Sequence, residues 1–416
     1  MTTSDFDSGR ETPPIICLKK TLWSNSMFRR LLTTPTAILL SSATALAGNF
    51  PTFTEKVIDP NVGKVCYAVT IADVDNDKDQ DIVALTENRV VWYEQPSWKA
   101  HVILQDQTPL DNVCIAPHDI DGDGQVDFAI GAGWTKTGTL HWIRRTVDPK
   151  ALWQVAAIGE ETNVHRMRWA DVLGTGKPQL VISPLNASVG NGVRLLAYEI
   201  PANPATERWP GTVLNGDLNR MHNHWHVDFD GDKTIDTITA SREGVSLVTR
   251  SGSDWTAARL GEGITGNADP NLNGAGEVKI GRLRNGQRFL TSVEPMHGDH
   301  LAVYLEPTSA NGKWERKVID QGFRRGHALW TADFDGDGSD DIAFGHSDTP
   351  EKFGVSVYSP SADGTEWTRY ILDAGGMATE DLIVADLTGD NRPDIVAGGR
   401  GTHNVKLYVN EMPVAK

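Results

Sequence analysis

The chain has 416 residues, a formal net charge of −16 and three cysteines. That charge argues against nucleic acid or an anionic membrane surface as a partner, and the cysteine count excludes a disulfide scaffold. Length alone would divide the chain into two or three domains, a division that its internal repeats override.

Residues 1–26 show no apolar period. From Met27 the text changes: Arg29 and Arg30 precede LLTTPTAILLSSATALA, which ends in the small-residue site Ala45-Leu46-Ala47. Basic, apolar and small-residue segments in that order mark a secretory signal. The expectation is translation from Met27, a leader over 1–47, and a secreted or periplasmic mature chain over 48–416. The stretch is short and rich in Ser and Thr, so membrane insertion is not expected. The mature chain keeps Cys66 and Cys114, either as two buried free thiols or as one bond between neighbouring repeats.

The first repeat reads VTIADV (69–74), an Asp-rich turn, DIVALT (81–86), VVWYE (90–94) and WKAHVIL (98–104). Alternation, β-branched residues and Gly/Asn/Asp punctuation predict four short antiparallel strands. Seven such units follow one another at roughly 50-residue spacing, the period of a propeller. Their turns begin at Asp73, Asp119, Asp171, Asp228, Arg282, Asp333 and Asp386. Trp-led fourth strands recur at 153–158, 255–260, 314–319 and 367–372. The seventh unit stops after three strands, and FTEKVI (53–58) supplies the missing one. The predicted fold is therefore all-β: a seven-bladed propeller of four-stranded blades, closed by the N-terminal strand so that no sheet edge stays free.

Four turns carry carboxylates at positions 1, 3, 5 and 9: Asp73, Asp75, Asp77, Asp81; Asp119, Asp121, Asp123, Asp127; Asp228, Asp230, Asp232, Asp236; and Asp333, Asp335, Asp337, Asp341. Alternate carboxylates in a Gly-containing loop suit calcium. They equally suit a turn whose aspartates cap their own backbone.

Counting six residues back from each turn gives Tyr67, Val113, His165, His222, Gly276, His327 and Glu380. Equivalent positions lie at one height around the axis, so these residues should face a common cavity. Packing would not choose three histidines, a glutamate and a tyrosine for one level. The same strand starts carry Arg166, Arg168, Asn223, His224, Glu277 and Asp381. Loops returning to that face carry Trp134, Lys136, Asn186, Arg242, His297, His300, His346, Arg400 and His403, so most of the twelve histidines are expected there. Neutral imidazoles with a carboxylate suit a transition metal such as zinc, and histidine also moves protons near neutrality. Zinc or magnesium is the expected axial metal. His222, His224 and Glu380 are the candidate ligands; His165, Arg166, Arg168, His297, His327 and Tyr67 are the candidate catalytic groups. Trp134, Lys136, Arg242, His346, Arg400 and His403 are candidates for binding a small carbohydrate or glycan. No phosphate loop, nucleophile elbow or dinucleotide fingerprint is present.

The Asp turns resemble the FG-GAP or VCBS repeats of integrin-type propellers. TNVHRMRWADV (162–172), the His-rich strand before DFDGD, EPMHG (294–298) and GHALWTADFDGDG (326–338) are similar to the β-propeller domain of the aldos-2-ulose dehydratase family. That resemblance implies a metal-supported lyase removing water from a keto sugar such as 1,5-anhydro-D-fructose. Two other readings stand beside it: a polysaccharide lyase or glycoside hydrolase acting on a uronate-containing glycan, and a non-catalytic sugar-binding or adhesion propeller.

Overall fold

In a computed structural model, described over residues 50–187, 190–309, 312–347 and 353–411, each repeat folds into one four-stranded antiparallel sheet. There are seven such sheets. The expected leader and its cleavage site lie outside the described residues. The inner strands are Cys66–Ala72, Cys114–His118, Val164–Ala170, Asn223–Val227, Glu277–Arg282, Gly326–Ala332 and Thr379–Ala385. The second strands, such as Asp81–Thr86 and Asp341–His346, are buried along their whole length. Both their faces are covered by neighbouring blades, which is why they read as continuous apolar runs.

The turn chemistry sets the blade geometry. The aspartate at position 1 accepts backbone N–H groups three to five residues on, as Asp119 does from Gly122, Asp123 and Gly124. The aspartate at position 9 opens the second strand and accepts the N–H of position 2: Asp81 from Val74 at 2.9 Å, Asp341 from Phe334 at 3.0 Å, Asp394 from Leu387 at 2.9 Å. Position 6 takes left-handed backbone, with φ of 84° at Gly124 and 87° at Gly338, which favours glycine there. In the third blade Gln179 replaces the last aspartate and still accepts from Leu173 at 2.9 Å.

The closing strand is where the repeat count put it. Phe53–Asp59 pairs antiparallel with Val405–Asn410, from Phe53 opposite Asn410 to Val57 opposite Lys406. Phe50 stacks on Tyr370 at 3.8 Å, and Lys406 reaches Glu55 at 2.8 Å. The third blade departs from the predicted pattern. Its outer strand is Gly211–Asn215, missed because Pro210 separates it from Trp209, whose indole is buried. Cys66 and Cys114 are buried and free.

One irregularity repeats in every blade. The ladder skips Tyr67, His165, His327 and Glu380 at the starts of their inner strands. In the remaining blades two residues likewise meet one partner. His222 and Asn223 both face Ala240, Gly276 and Glu277 both face Val293, and Val113 and Cys114 both face Gly131. Each is a β-bulge, which bends the strand and re-aims its side chains. The ring residue and the one after it therefore both reach the axis.

Candidate functional site

The bulges bring Tyr67, Val113, His165, His327 and Glu380 to one cavity of about 110 Å³, whose walls also include Trp134, Arg166, His297, Arg325 and Arg400. His222 lies behind it, its ring 4.4 Å from that of His165, 4.9 Å from that of His327 and 4.7 Å from that of His297. His165, His222 and His327 are buried, with one nitrogen from each inside a 4.8 Å group.

Their orientation follows one rule. Nδ1 of each histidine meets the backbone carbonyl of the ring residue in the next blade: His165 to His222 O at 3.1 Å, His222 to Gly276 O at 3.1 Å, and His327 to Glu380 O. Arg166 also approaches Nδ1 of His165 at 3.4 Å and of His327 at 3.5 Å, but the carbonyls are nearer. A carbonyl only accepts, so each Nδ1 carries the proton and Nε2 is left bare. His327 Nε2 is buried without a hydrogen-bond partner. His222 Nε2 lies 2.9 Å from His297 Nε2. Arg325 donates to His297 Nδ1 at 3.3 Å, so His297 carries its proton on Nε2 and gives it to His222. His297 and Arg325 hold left-handed backbone, with φ of 54° and 52°, a conformation uncommon outside glycine and one that concentrates at functional sites.

Burial, the Arg166 guanidinium and the neighbouring imidazoles keep His165 neutral. Burial, His297 and His222 do the same for His327. Glu277 sits 2.9 Å from His222 Nδ1. Burial alone would raise its carboxyl, but His222 and Arg166 outweigh that and hold it down at about 2. Glu380 is clamped by Arg325 at 3.2 Å and Arg400 at 2.6 Å, and its Oε1 lies 3.6 Å from His327 Nε2. Tyr67 lies under the Arg400 guanidinium at 5.5 Å. Burial and Asp111 push its hydroxyl up to about 12.

Other candidates lie elsewhere. His224 follows the alternation away from the axis. It is buried against Ser183 Oγ at 2.9 Å and next to His226, so the structure does not join it to His222. His346 is buried against Phe323 and Phe344. Arg242 pairs with Glu243, and Lys136 is exposed on its loop. His403 is exposed beside the cavity mouth with Arg400 and Arg325. Arg168 points into a lower chamber. Seven of the twelve histidines lie at the ring end of the blades, His165, His222, His297, His300, His327, His346 and His403, but of these only His165, His222, His297 and His327 converge. His101, His118 and His141 lie on other strands. Sequence reading missed Arg325, although RRGH announces it two residues before the ring.

Comparison with known proteins agrees with this architecture. Residues 137–307 match the family model described as the aldos-2-ulose dehydratase β-propeller domain, and residues 73–130 and 333–397 match FG-GAP-like repeats. The aldos-2-ulose dehydratase of Phanerodontia chrysosporium is 26% identical over 250 residues, covering 54% of this chain. The match spans 28% of that relative's length. Among solved structures, an Agrocybe aegerita lectin specific for non-reducing terminal N-acetylglucosamine superposes with a TM-score of 0.49. It is 15% identical, over 74% of this chain and 81% of that one. The resemblance seen in the motifs is thus borne out: the chain is a seven-bladed propeller related to the β-propeller domain of aldos-2-ulose dehydratase, with FG-GAP-like repeats on either side of the matched segment.

Proposed function

We propose that the protein is a lyase that removes water from a small keto sugar at the histidine ring, outside the cytoplasm. The observation that carries this reading is the oriented triplet of His165, His222 and His327. Three neutral imidazoles with their Nδ1 protons on backbone carbonyls leave their Nε2 lone pairs to ligate, with one nitrogen of each inside a 4.8 Å group. His327 Nε2 has no hydrogen-bond partner, and His222 Nε2 would exchange the N–H of His297 for the ion. Such a set fits zinc better than magnesium, which prefers oxygen ligands. His165, His222 and His327 would hold the ion, with Glu277 and the carbonyls as the outer shell that fixes them. When bound, the metal supplies Lewis acidity toward a sugar carbonyl.

The protein's own groups do the rest. The elimination breaks a C–H bond next to the carbonyl and a C–O bond one carbon further on, forms C=C and releases water. His297, the cavity histidine outside the ligand triplet, is assigned the proton transfer: it gives its Nε2 proton to the departing hydroxyl, and the nitrogen so bared takes up the proton of the broken C–H bond. The sequence pointed to His165 for that role; its place in the triplet favours His297 instead. Arg166, Arg325 and Arg400 line the cavity as cations able to steady an enolate. Trp134 and Tyr67 offer aromatic surface to the sugar ring. The test is metal analysis of the purified protein together with a keto-sugar screen for enone absorbance. One zinc per chain and an enone product are expected. Cleavage of a uronate-containing glycan instead would favour the polysaccharide-lyase or hydrolase reading.

Calcium in the Asp turns is a structural proposal. Asp75 Oδ1 and Asp121 Oδ1 are buried without a hydrogen-bond partner in clusters of three carboxylates, which fits a cation. Burial raises Asp81, Asp127 and Asp394 to about 6 and Asp341 to about 8. A carboxyl raised on folding stabilises the protein while protonated, and that contribution is lost as pH rises through its folded value. In chelator the melting temperature should therefore fall between about pH 4 and pH 8. Added calcium should restore it at the upper end, and Asp335→Ala should remove part of that response. A melting temperature indifferent to chelator at pH 8 would leave the turns as hydrogen-bonded caps alone.

A further inference from the structure

Below the histidine ring the axis widens into a second chamber of about 340 Å³, which the reading of the ring does not use. Its width follows from the sequence. At the first and third positions after the ring residue, blades 1 and 2 contribute only Ala68, Thr70, Cys114 and Ala116, leaving room on one side. At the third position the facing blades contribute Arg168, Trp225, Lys279 and Trp330 in succession, cation alternating with indole. Lys279 Nζ lies 4.5 Å from the ring centre of Trp225 and 5.3 Å from that of Trp330, and the Arg168 guanidinium lies 5.1 Å from that of Trp225.

The chamber is unbalanced in charge. Three cations line it, Arg166, Arg168 and Lys279, against two carboxylates, Glu277 and Asp381. Arg166 is paired with Glu277 at 3.5 Å. Arg168 donates to the neutral Asn223 at 2.9 Å. Lys279 is 2% exposed and, among the described residues, has no carboxylate within ion-pair distance; its ammonium has the carbonyl of Val278 at 3.5 Å and the two indole faces, none of which carries a negative charge. A buried, unpaired ammonium is costly unless something charged completes it. Burial and the neighbouring Arg168 push that ammonium down to about 7, a sign of the same missing anion.

We propose that this chamber is a second binding site, for a small polyhydroxylated carboxylate of about the size of a single sugar acid. One negative charge balances the excess cation. The space exceeds what a bare tetrahedral anion needs, and indole faces with Asn223, Thr70 and Asp381 suit a hydroxylated ring. Access is from the face of the Asp turns. The inner strands are buried at their ring ends and half-buried at their turn ends, as in Val164–Ala170, Gly326–Ala332 and Thr379–Ala385. The two sites thus stand back to back on the axis, with Arg166 lining both.

The experiment is calorimetric titration of the full-length protein with D-glucuronate, D-glucose and inorganic phosphate at pH 6.5. D-Glucuronate should bind at least about tenfold more tightly than either control, since loss of a buried charge partner costs at least that much. Lys279→Met and Arg168→Gln should each weaken it by about tenfold or more. Lys279→Met should also melt no lower than the parent, because it replaces an unpaired buried charge by an apolar chain of similar length. Glucose binding as tightly as glucuronate, or glucuronate binding unchanged in both variants, would overturn the proposal. Phosphate binding as tightly would reduce the chamber to a bare anion hole and overturn the sugar-acid assignment. Neither result touches the ring, whose metal and turnover are read separately.

Discussion

Deletion of residues 50–60 is expected to abolish the soluble folded monomer, or to lower its melting temperature by at least about 10 °C. The segment contributes one whole strand of the seventh sheet, hydrogen-bonded along Val405–Asn410. It also buries apolar side chains that nothing else replaces. Phe50 stacks on Tyr370, Phe53 meets Phe334 edge-on at 5.7 Å, and Ile58 packs between the first and last blades. Full burial of a side chain of this size is worth about 1.5–3 kcal/mol; these three are half-buried, so together they contribute about 2–4 kcal/mol besides the strand's hydrogen bonds. That is a large share of the about 5–15 kcal/mol that holds a typical domain together. The bared Val405–Asn410 edge would also be a template for pairing with other copies. Analytical ultracentrifugation and thermal melting of the truncated chain give the answer. A monomer melting with the parent would mean that the ring does not depend on this clasp.

How much of this was legible beforehand depends on whether a feature is local. The blades were legible because each Asp turn writes its own hydrogen bonds within nine residues, so Asp73, Asp119 and Asp333 announce the same hairpin wherever they occur. Closure was legible because a missing strand and a spare strand can be counted. The height of His165, His222 and His327 followed from the repeat alignment alone. Direction was not legible. Strict alternation would send a ring residue and its successor to opposite faces, and only the bulge brings both His165 and Arg166 to the axis. The same bulge sets the alternation that turns His224 away and Lys279 inward. Loops have no period at all. That is why EPMHG yielded His297 but nothing separated it from Lys136 or His346, which sit on equivalent hairpins and point elsewhere. Arg325 escaped because it lies outside every strand and acts by clamping Glu380 and donating to His297.

The ring itself should yield the largest effect on function. His222→Ala and His165→Ala are each expected to lose bound metal and to cut keto-sugar turnover by about 10²–10⁴-fold or more. His297→Ala is expected to keep the metal and still lose about 10²–10⁴-fold, the usual worth of a positioned acid–base group. The separation rests on orientation. His165, His222 and His327 have their Nδ1 protons tied to backbone carbonyls, so their remaining nitrogens can only accept or ligate. His297 has the opposite tautomer, set by Arg325, and holds a movable proton 2.9 Å from the triplet. Stability separates chemistry from packing. His222 is wholly buried and its loss should lower the melting temperature, whereas His297 is half-buried on a loop and its loss should barely move it. Arg325→Lys should lie between, because one ammonium cannot both reach Glu380 and donate to His297 as the guanidinium fork does. If His297→Ala sheds the metal while His165→Ala keeps it, the two exchange roles and the proton-moving group is His165 after all. If none of these changes alters metal content or turnover, and the folded protein still binds sugar, the ring is a recognition surface and the propeller a binding module.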